Sequence, residues 1–286
     1  NSVLAKLARA GAREGATVLA EEQTAGRGRL GKTWFSPPGV NLYASVLFCP
    51  PISSGEIAVF SFIASLALTD AIKEEGAQPA IKWPNDILVE KKKVAGVLAE
   101  SARAGDRVDF VILGAGVNLN VERETLRAAL GQAGLHAASL CEFLGREVDR
   151  NAFTARFLTL LDEWFQIYLA KGAEAIVQAW RDREVTTGRR VEVREELAVF
   201  DGRALGVNRD GYLIVQDSHG ECIGWSRARF ASWSERRDIM TAPWIVLAAI
   251  VAVGLVYVLL PTVFEAFLRF RGKRQLSCPE TGTEAE

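Results

Sequence analysis

Residues 21–41 read EEQTAGRGRLGKTWFSPPGVN and place Arg27, Arg29 and Lys32 among Gly26, Gly28 and Gly31. Arginine forks grip carboxylate and phosphate oxygens two at a time. Glycines between them let the backbone approach an anion and donate N–H groups to it. The chemistry of this segment is that of a flexible cationic loop for an acid and a phosphate. The same glycines spell G-x-G-x-x-G, but a dinucleotide fingerprint opens a helix. This one runs into Trp34 and Ser-Pro-Pro-Gly, which does not continue a helix. Taken alone, a solvated basic turn explains these residues equally well.

A second segment, KWPNDILV (82–89), puts Lys82 in an otherwise apolar strand, with Pro84, Asn85 and Asp86 at a stiff corner. A lysine there neutralises charge developing on a phosphate, and an Asp helps to hold a magnesium ion. An ordinary strand-turn-strand corner is the plainer account. In KVAGVLAE (93–100), Gly96 within a strand points to close approach by a ligand or another chain. In GAGVNLN (114–120) the glycines point to a packed backbone, and Asn118 offers a hydrogen bond.

Several classes of chemistry are missing. Cys49, Cys141, Cys222 and Cys278 are scattered without a C-x-x-C pair or zinc-like spacing, as expected of reduced structural thiols in a cytosolic setting. His136 and His219 stand far apart, which gives no His-based triad. The net charge of −1 over 286 residues gives no reason to expect nucleic acid as the main partner.

The elements that must carry these segments form an α+β pattern. Helical spacing covers 2–14. Strands are expected at 17–22, 41–48, 81–83, 86–90, 94–102 and 108–120, with a turn at Lys91–Lys93. A buried helix spans 56–75, and further helices lie at about 122–130, 151–170 and 173–183. Short links make the sheet mostly antiparallel. After Gly188 the pattern changes to short strands, with Asp201-Gly202 and Asp210-Gly211 expected as hairpin turns. Length allows one large and one small domain, set at 1–185 and 186–235.

Taken together, GRGRLGKTWFSPPGVNLY, KWPND, KVAGVLAE and GAGVNLN resemble, in order and spacing, the motifs of biotin protein ligases. The resemblance covers residues 1–235. It implies a class II synthetase-like catalytic domain followed by a small SH3-like β-barrel. Asn1-Ser2 resembles the tail of the family's Asp-Ser-Thr-Asn element, whose Ser and Thr are absent here. The roles implied are these. Asn1 and Gln23 fix the biotin ring system. Arg27, Gly28 and Arg29 hold the biotin carboxylate and adenylate phosphate. Lys82, catalytic with Arg29, contacts biotin and phosphate. Asn85, Asp86, Lys93, Gly96 and Asn118 line the nucleotide side, and Asp86 holds magnesium. The substrates implied are biotin and ATP with Mg2+, the partner a biotin carboxyl carrier protein or domain of a carboxylase. The resemblance leaves room for a homodimer.

The rivals are a lipoate ligase, which shares the fold, and a biotin-sensing repressor, which needs an N-terminal helix-turn-helix that this sequence does not display. The motif lysine and arginines argue against a scaffold that binds without catalysing. One segment departs from the family. Residues 242–264, APWIVLAAIVAVGLVYVLLPTVF, carry no charge, a run long enough to cross a bilayer. The expectation is a tail anchor with the ligase on the cytosolic face of the membrane, or a cytoplasmic protein if the run does not span, followed by a short polar tail, 265–286. Nothing at the N-terminus resembles a signal peptide.

Overall fold

A computed structural model describes residues 1–50, 52, 56–104, 107–194, 199–225 and 229–230. These belong to one compact unit, Asn1–Ser234. Residues 242–264 and 265–286 lie outside the described residues. Among the described residues no helix is long and apolar enough to cross a membrane.

The chain opens with α1 (Ser2–Arg9) and β1 (Thr17–Leu19), then β2 (Leu42–Phe48), α2 (Ile57–Glu74), β3 (Pro79–Lys82), β4 (Asp86–Val89), β5 (Lys92–Ala104) and β6 (Arg107–Val117). Helices α3 (Arg123–Leu130), α4 (Leu140–Leu144) and α5 (Arg150–Arg181) follow. The segment after Gly188 forms β7 (Arg190–Arg194), β8 (Val199–Val207), β9 (Leu213–Gln216), β10 (Cys222–Trp225) and β11 (Arg229–Phe230). The first six strands make one antiparallel sheet in the order β1-β2-β6-β5-β4-β3. The last five make a second antiparallel sheet in the order β10-β9-β8-β7-β11, which fits the small β-barrel or sandwich expected after Gly188.

Helix α2 carries almost no polar face, and the fold explains why. It packs against β3 to β6 on one side and α5 on the other, so that Phe60, Ile63, Leu66 and Leu68 are fully buried. A helix apolar all round belongs in such a middle layer. Phe48 and Phe165 meet edge to face at 4.7 Å, and Phe62 stacks on Trp180 at 4.4 Å. Burial of side chains of this size stabilises by roughly 1.5–3 kcal/mol each. The opposite face of the sheet is covered by α1 over a smaller cluster of Leu4, Leu47, Phe110 and Ile112.

Several expected boundaries move. Helix α1 ends at Arg9 and not near residue 14, and β1 is three residues long. The helices expected on either side of residue 171 are joined as α5, broken by Gly172 at φ 76°. The turn between β4 and β5 is made by Glu90 and Lys91, both with positive φ, and Lys92 already lies in β5. Asp201-Gly202 is no hairpin turn. Both residues lie inside β8, opposite Glu192 and Val191 of β7. A side chain at Gly202 would collide with the β9 backbone at Gln216, so that glycine is explained by close strand approach. Asp210-Gly211 does turn the chain between β8 and β9, where Asn208 Oδ1 accepts from the amides of Asp210 and Tyr212.

Candidate functional site

Strand parity builds the floor of the site. In β6, Val111, Leu113, Ala115 and Val117 face the helices, which turns Gly114 and Gly116 to the other face. In β5 the same rule sends Ala95 and Val97 to the core and Gly96 and Leu98 to the cleft. In β2 it sends Tyr43 and Ser45 there. Gly116 pairs with Gly96 on one side and Tyr43 on the other, and Gly114 pairs with Leu98 and Ser45. The missing side chains open a trough, and two residues lie in it. A Cβ on Gly116 would sit 2.6 Å from the Trp34 indole, and one on Gly114 2.5 Å from the Asn1 amide. Asn1 Nδ2 donates to Glu100 Oε2 at 2.8 Å and Asn1 Oδ1 accepts from Ser45 Oγ at 2.7 Å.

The cationic segment is an irregular hairpin folded over this floor. Its arms are tied by Gly39 N to Glu21 O at 3.1 Å, Gln23 N to Ser36 O at 3.3 Å, Trp34 N to Gly26 O at 2.8 Å and Gly28 N to Lys32 O at 2.7 Å. The tip is a single 3-10 turn, Arg29–Gly31, in which Leu30 takes a φ of 56°. No helix follows it, as Trp34 and the two prolines required. Arg27 Nη2 donates to Glu100 Oε2 at 3.0 Å and to Ser2 Oγ at 3.1 Å. Arg29 Nη1 reaches Asn85 Oδ1 at 3.5 Å. Gln23 Nε2 donates to Ser36 Oγ at 2.9 Å. Tyr43 closes the near wall. Its hydroxyl donates to Pro37 O at 2.9 Å, and burial raises its pKa to about 12.

The far wall is the corner between β3 and β4. Lys82, the last residue of β3, pairs with Asp86, the first of β4. Burial holds the Lys82 ammonium below the ordinary lysine pKa of 10.5, opposed by Asp86 and assisted by Lys93 and Lys32. Asp86 is salt-bridged to Lys93 at 2.5 Å, and Lys93 Nζ lies 5.2 Å from the centre of a Trp34 ring. Asn85 is fixed from behind, its Nδ2 donating to Val97 O at 2.6 Å. Five cationic side chains on three separate segments, Arg27, Arg29 and Lys32, then Lys82, then Lys93, thus converge on one cleft of about 660 Å³, a size suited to a small-molecule ligand. Positive charge in so confined a space favours anionic groups and stabilises charge that builds up on phosphate oxygens.

Asn1, Gln23, Arg27, Gly28, Arg29, Lys82, Asn85, Asp86, Lys93 and Gly96 all line this cleft. Asn118 does not. It is buried behind the floor, its amide donating to Ala138 O at 3.2 Å. In this structure the amide of the asparagine in GAGVNLN is engaged by packing and not by the cleft. Trp34 does line the cleft, and the motif reading gave it no role. Its Nε1 is buried without a hydrogen-bond partner among the described residues. The signal for it was the pair of facing glycines, Gly96 on β5 and Gly116 on β6, which leaves room for one flat ring. Glu100, which joins Asn1 to Arg27, was also passed over. No group of three or more metal-ligating side chains occurs among the described residues, and Cys49, Cys141 and Cys222 are free thiols.

Residues 3–118 match the model of the biotin/lipoate A/B protein ligase family. The chain is 34% identical over 211 residues to a biotin--[acetyl-CoA-carboxylase] ligase of Paracoccus denitrificans, covering 73% of this chain and 87% of that protein. It is 32% identical over 216 residues to the bifunctional ligase/repressor BirA of Bacillus subtilis, covering 75% of this chain but only 66% of that longer protein. Among solved structures, the biotin protein ligase of Aquifex aeolicus in complex with biotin and ATP superposes with a TM-score of 0.65 over 79% of this chain and 93% of that one. At 24% identity that likeness concerns the fold alone. The biotin protein ligase of Leishmania major in complex with biotinyl-5-AMP superposes with a TM-score of 0.53 at 26% identity, over 78% and 94% of the two chains.

Proposed function

We propose, from the premise that the chain belongs to the biotin/lipoate A/B protein ligase family, that it is a biotin protein ligase. It activates biotin with ATP and passes it to a lysine of a carboxylase's biotin carrier protein or domain. The observation that carries this reading is the convergence of Arg27, Arg29, Lys82 and Lys93 on a cleft whose floor is cleared by Gly96, Gly114 and Gly116.

In the first step a biotin carboxylate oxygen attacks the α-phosphorus of ATP and pyrophosphate leaves. In the second, the deprotonated amine of the acceptor lysine attacks the acyl carbon of the mixed anhydride, AMP leaves, and the nitrogen gives up a proton. No nucleophile of the enzyme is required, in keeping with a cleft that holds no Ser–His or Cys–His pair. The rate comes from orientation and from cations placed where negative charge builds up. Lys82 and Arg29 bear on the α-phosphate, and Arg27 on the biotin carboxylate. Asn1 and Gln23 hold the ring system. Trp34 offers the purine an aromatic face, a contact usually worth about 1–3 kcal/mol per base. Asp86, one carboxylate already paired with Lys93, suits a magnesium ion that arrives on the phosphates of ATP better than a resident ion. The catalytic power of magnesium is to neutralise those phosphates.

The relatives named as ligases favour biotin over lipoate. Calorimetry with each acid in the presence of a non-hydrolysable ATP analogue tests the choice. Biotin is expected to bind more tightly, and equal or tighter binding of lipoate overturns it. The uncharged run 242–264 supports, in addition, a tether that keeps the ligase on the cytosolic face of a membrane. Release of the intact chain by an alkaline carbonate wash refutes that tether.

A further inference from the structure

The hairpin that carries Arg27 and Arg29 is tied along its arms but anchored at its base from outside. Arg150, the first residue of α5, reaches both arms there. Its Nη2 donates to Glu21 Oε2 on the outgoing arm at 2.8 Å, and its Nη1 and Nε donate to Gly39 O at 2.9 Å and Asn41 O at 3.1 Å on the returning arm. Between those contacts lies the lowest rung of the hairpin, Gly39 N to Glu21 O. Asn41 is fully buried, and its Oδ1 accepts from the amide of Leu119. The clamp therefore ties the hairpin to both the sheet and the long helix.

Two features set Arg150 apart from an incidental surface contact. A cation in the first turn of a helix opposes the helix dipole, and the N-cap is already supplied by Asp149, whose Oδ1 accepts from Asn151 N and Ala152 N. The helix start thus gains nothing from Arg150. All three nitrogens of its guanidinium are spent instead on hairpin-base acceptors, a spread that only a planar fork spans at once. A hairpin hinged at one end converts a small angular error at its base into a large displacement at its tip, where Arg29 must meet a ligand.

We infer that Arg150, which touches no substrate, is a positioning residue that sets the angle of the cationic hairpin over the cleft and so holds the acyl-adenylate in place. The inference rests on the ligase reading above. Its test uses the full chain with Arg150→Met, Arg150→Lys, Arg27→Ala and the Arg150→Met/Arg27→Ala double variant. Dissociation of biotinyl-AMP is followed by chase, and hydrogen exchange is read at the rung amides of Gly28 and Trp34. Arg150→Met is expected to speed adenylate loss on the order of tenfold and to speed exchange at those two amides, leaving exchange in the second half of α5 unchanged. Arg150→Lys, with one cation and a shorter reach, is expected to fall between, and it supplies the answer if the methionine variant does not fold. In the Arg27→Ala background, removing Arg150 is expected to cost little more, because the contact through which the hairpin acts is already lost. Wild-type exchange at Gly28 and Trp34 in both Arg150 variants overturns the inference, as does a penalty that is fully additive with Arg27→Ala. If the wild-type chain makes no biotinyl-AMP, the ligase reading fails, while the exchange arm still decides whether Arg150 holds the hairpin.

Discussion

The indole Nε1 of Trp83 donates to the carbonyl of Gly211 at 3.0 Å, so a turn of the small C-terminal sheet props the corner that carries Lys82 and Asn85. The segment between α5 and that sheet holds the same corner. Trp83 N donates to Thr186 Oγ1, Ile81 N to Arg183 O, and Val185 N to Ile81 O. Gly211 sits at φ 84°, where a Cβ would lie 2.8 Å from Ala58.

Trp83→Phe keeps most of the ring volume and leaves the Gly211 carbonyl buried without its donor. It is expected to cost about 1–3 kcal/mol of stability and to slow adenylation through misplacement of Lys82. Urea denaturation and single-turnover adenylation measure the two effects. A variant that is less stable yet adenylates at the wild-type rate shows that the prop serves the fold only.

Lys82 supplies a prediction in pH. Burial lowers its pKa from 10.5, so the ammonium is lost at a lower pH than an exposed lysine's. Adenylation is expected to fall on the alkaline side below pH 10.5, and Lys82→Arg to carry that limb to higher pH. For stability the sign is opposite. The folded state disfavours the charged form, and this cost is fully present below the lowered pKa and fades as pH rises from there toward 10.5. Lys82→Met is therefore expected to lose on the order of a hundredfold or more in adenylation rate with a Tm no lower than wild type at pH 7. A wild-type adenylation rate in Lys82→Met removes Lys82 from the chemistry.

Arg29→Ala is expected to leave the fold intact and to weaken retention of biotinyl-AMP by roughly 1.5–3 kcal/mol, the usual worth of a hydrogen bond to a charged group. Off-rates and isotopic pyrophosphate exchange measure this, and wild-type values in both place Arg29 outside the ligand contacts.

Gly116→Ala adds a single methyl group where the Trp34 indole lies. It is expected to raise the KM for ATP more than that for biotin, because the proposed function puts the ring on the nucleotide side. An equal rise in both, or none, contradicts that division of the cleft.

Much of this was legible in the sequence because the chemistry is concentrated in contiguous motifs. Arg27, Arg29, Lys82, Asp86 and Gly96, picked out from separate segments, line one cleft, and the buried helix and the antiparallel sheet followed from apolar spacing and short links. The failures have local physical causes. Asp201-Gly202 has the composition of a turn, but the glycine is demanded by a neighbouring strand. Asn118 has the donor groups of a ligand contact, but the next layer of the fold uses them. Arg150 and Trp83 act across separations of 109 and 128 residues to Asn41 and Gly211, and no local pattern reports such pairings. The 3-10 tip was invisible because Leu30 adopts a φ that leucine seldom takes.

Biotin-dependent exchange of labelled pyrophosphate into ATP tests the central claim most directly, since it isolates the first half-reaction and needs no acceptor protein. The purified chain is expected to exchange label with biotin, to do so far more slowly with lipoate, and to lose the exchange in Lys82→Met. Absence of exchange with biotin, or equal exchange with lipoate, contradicts the account.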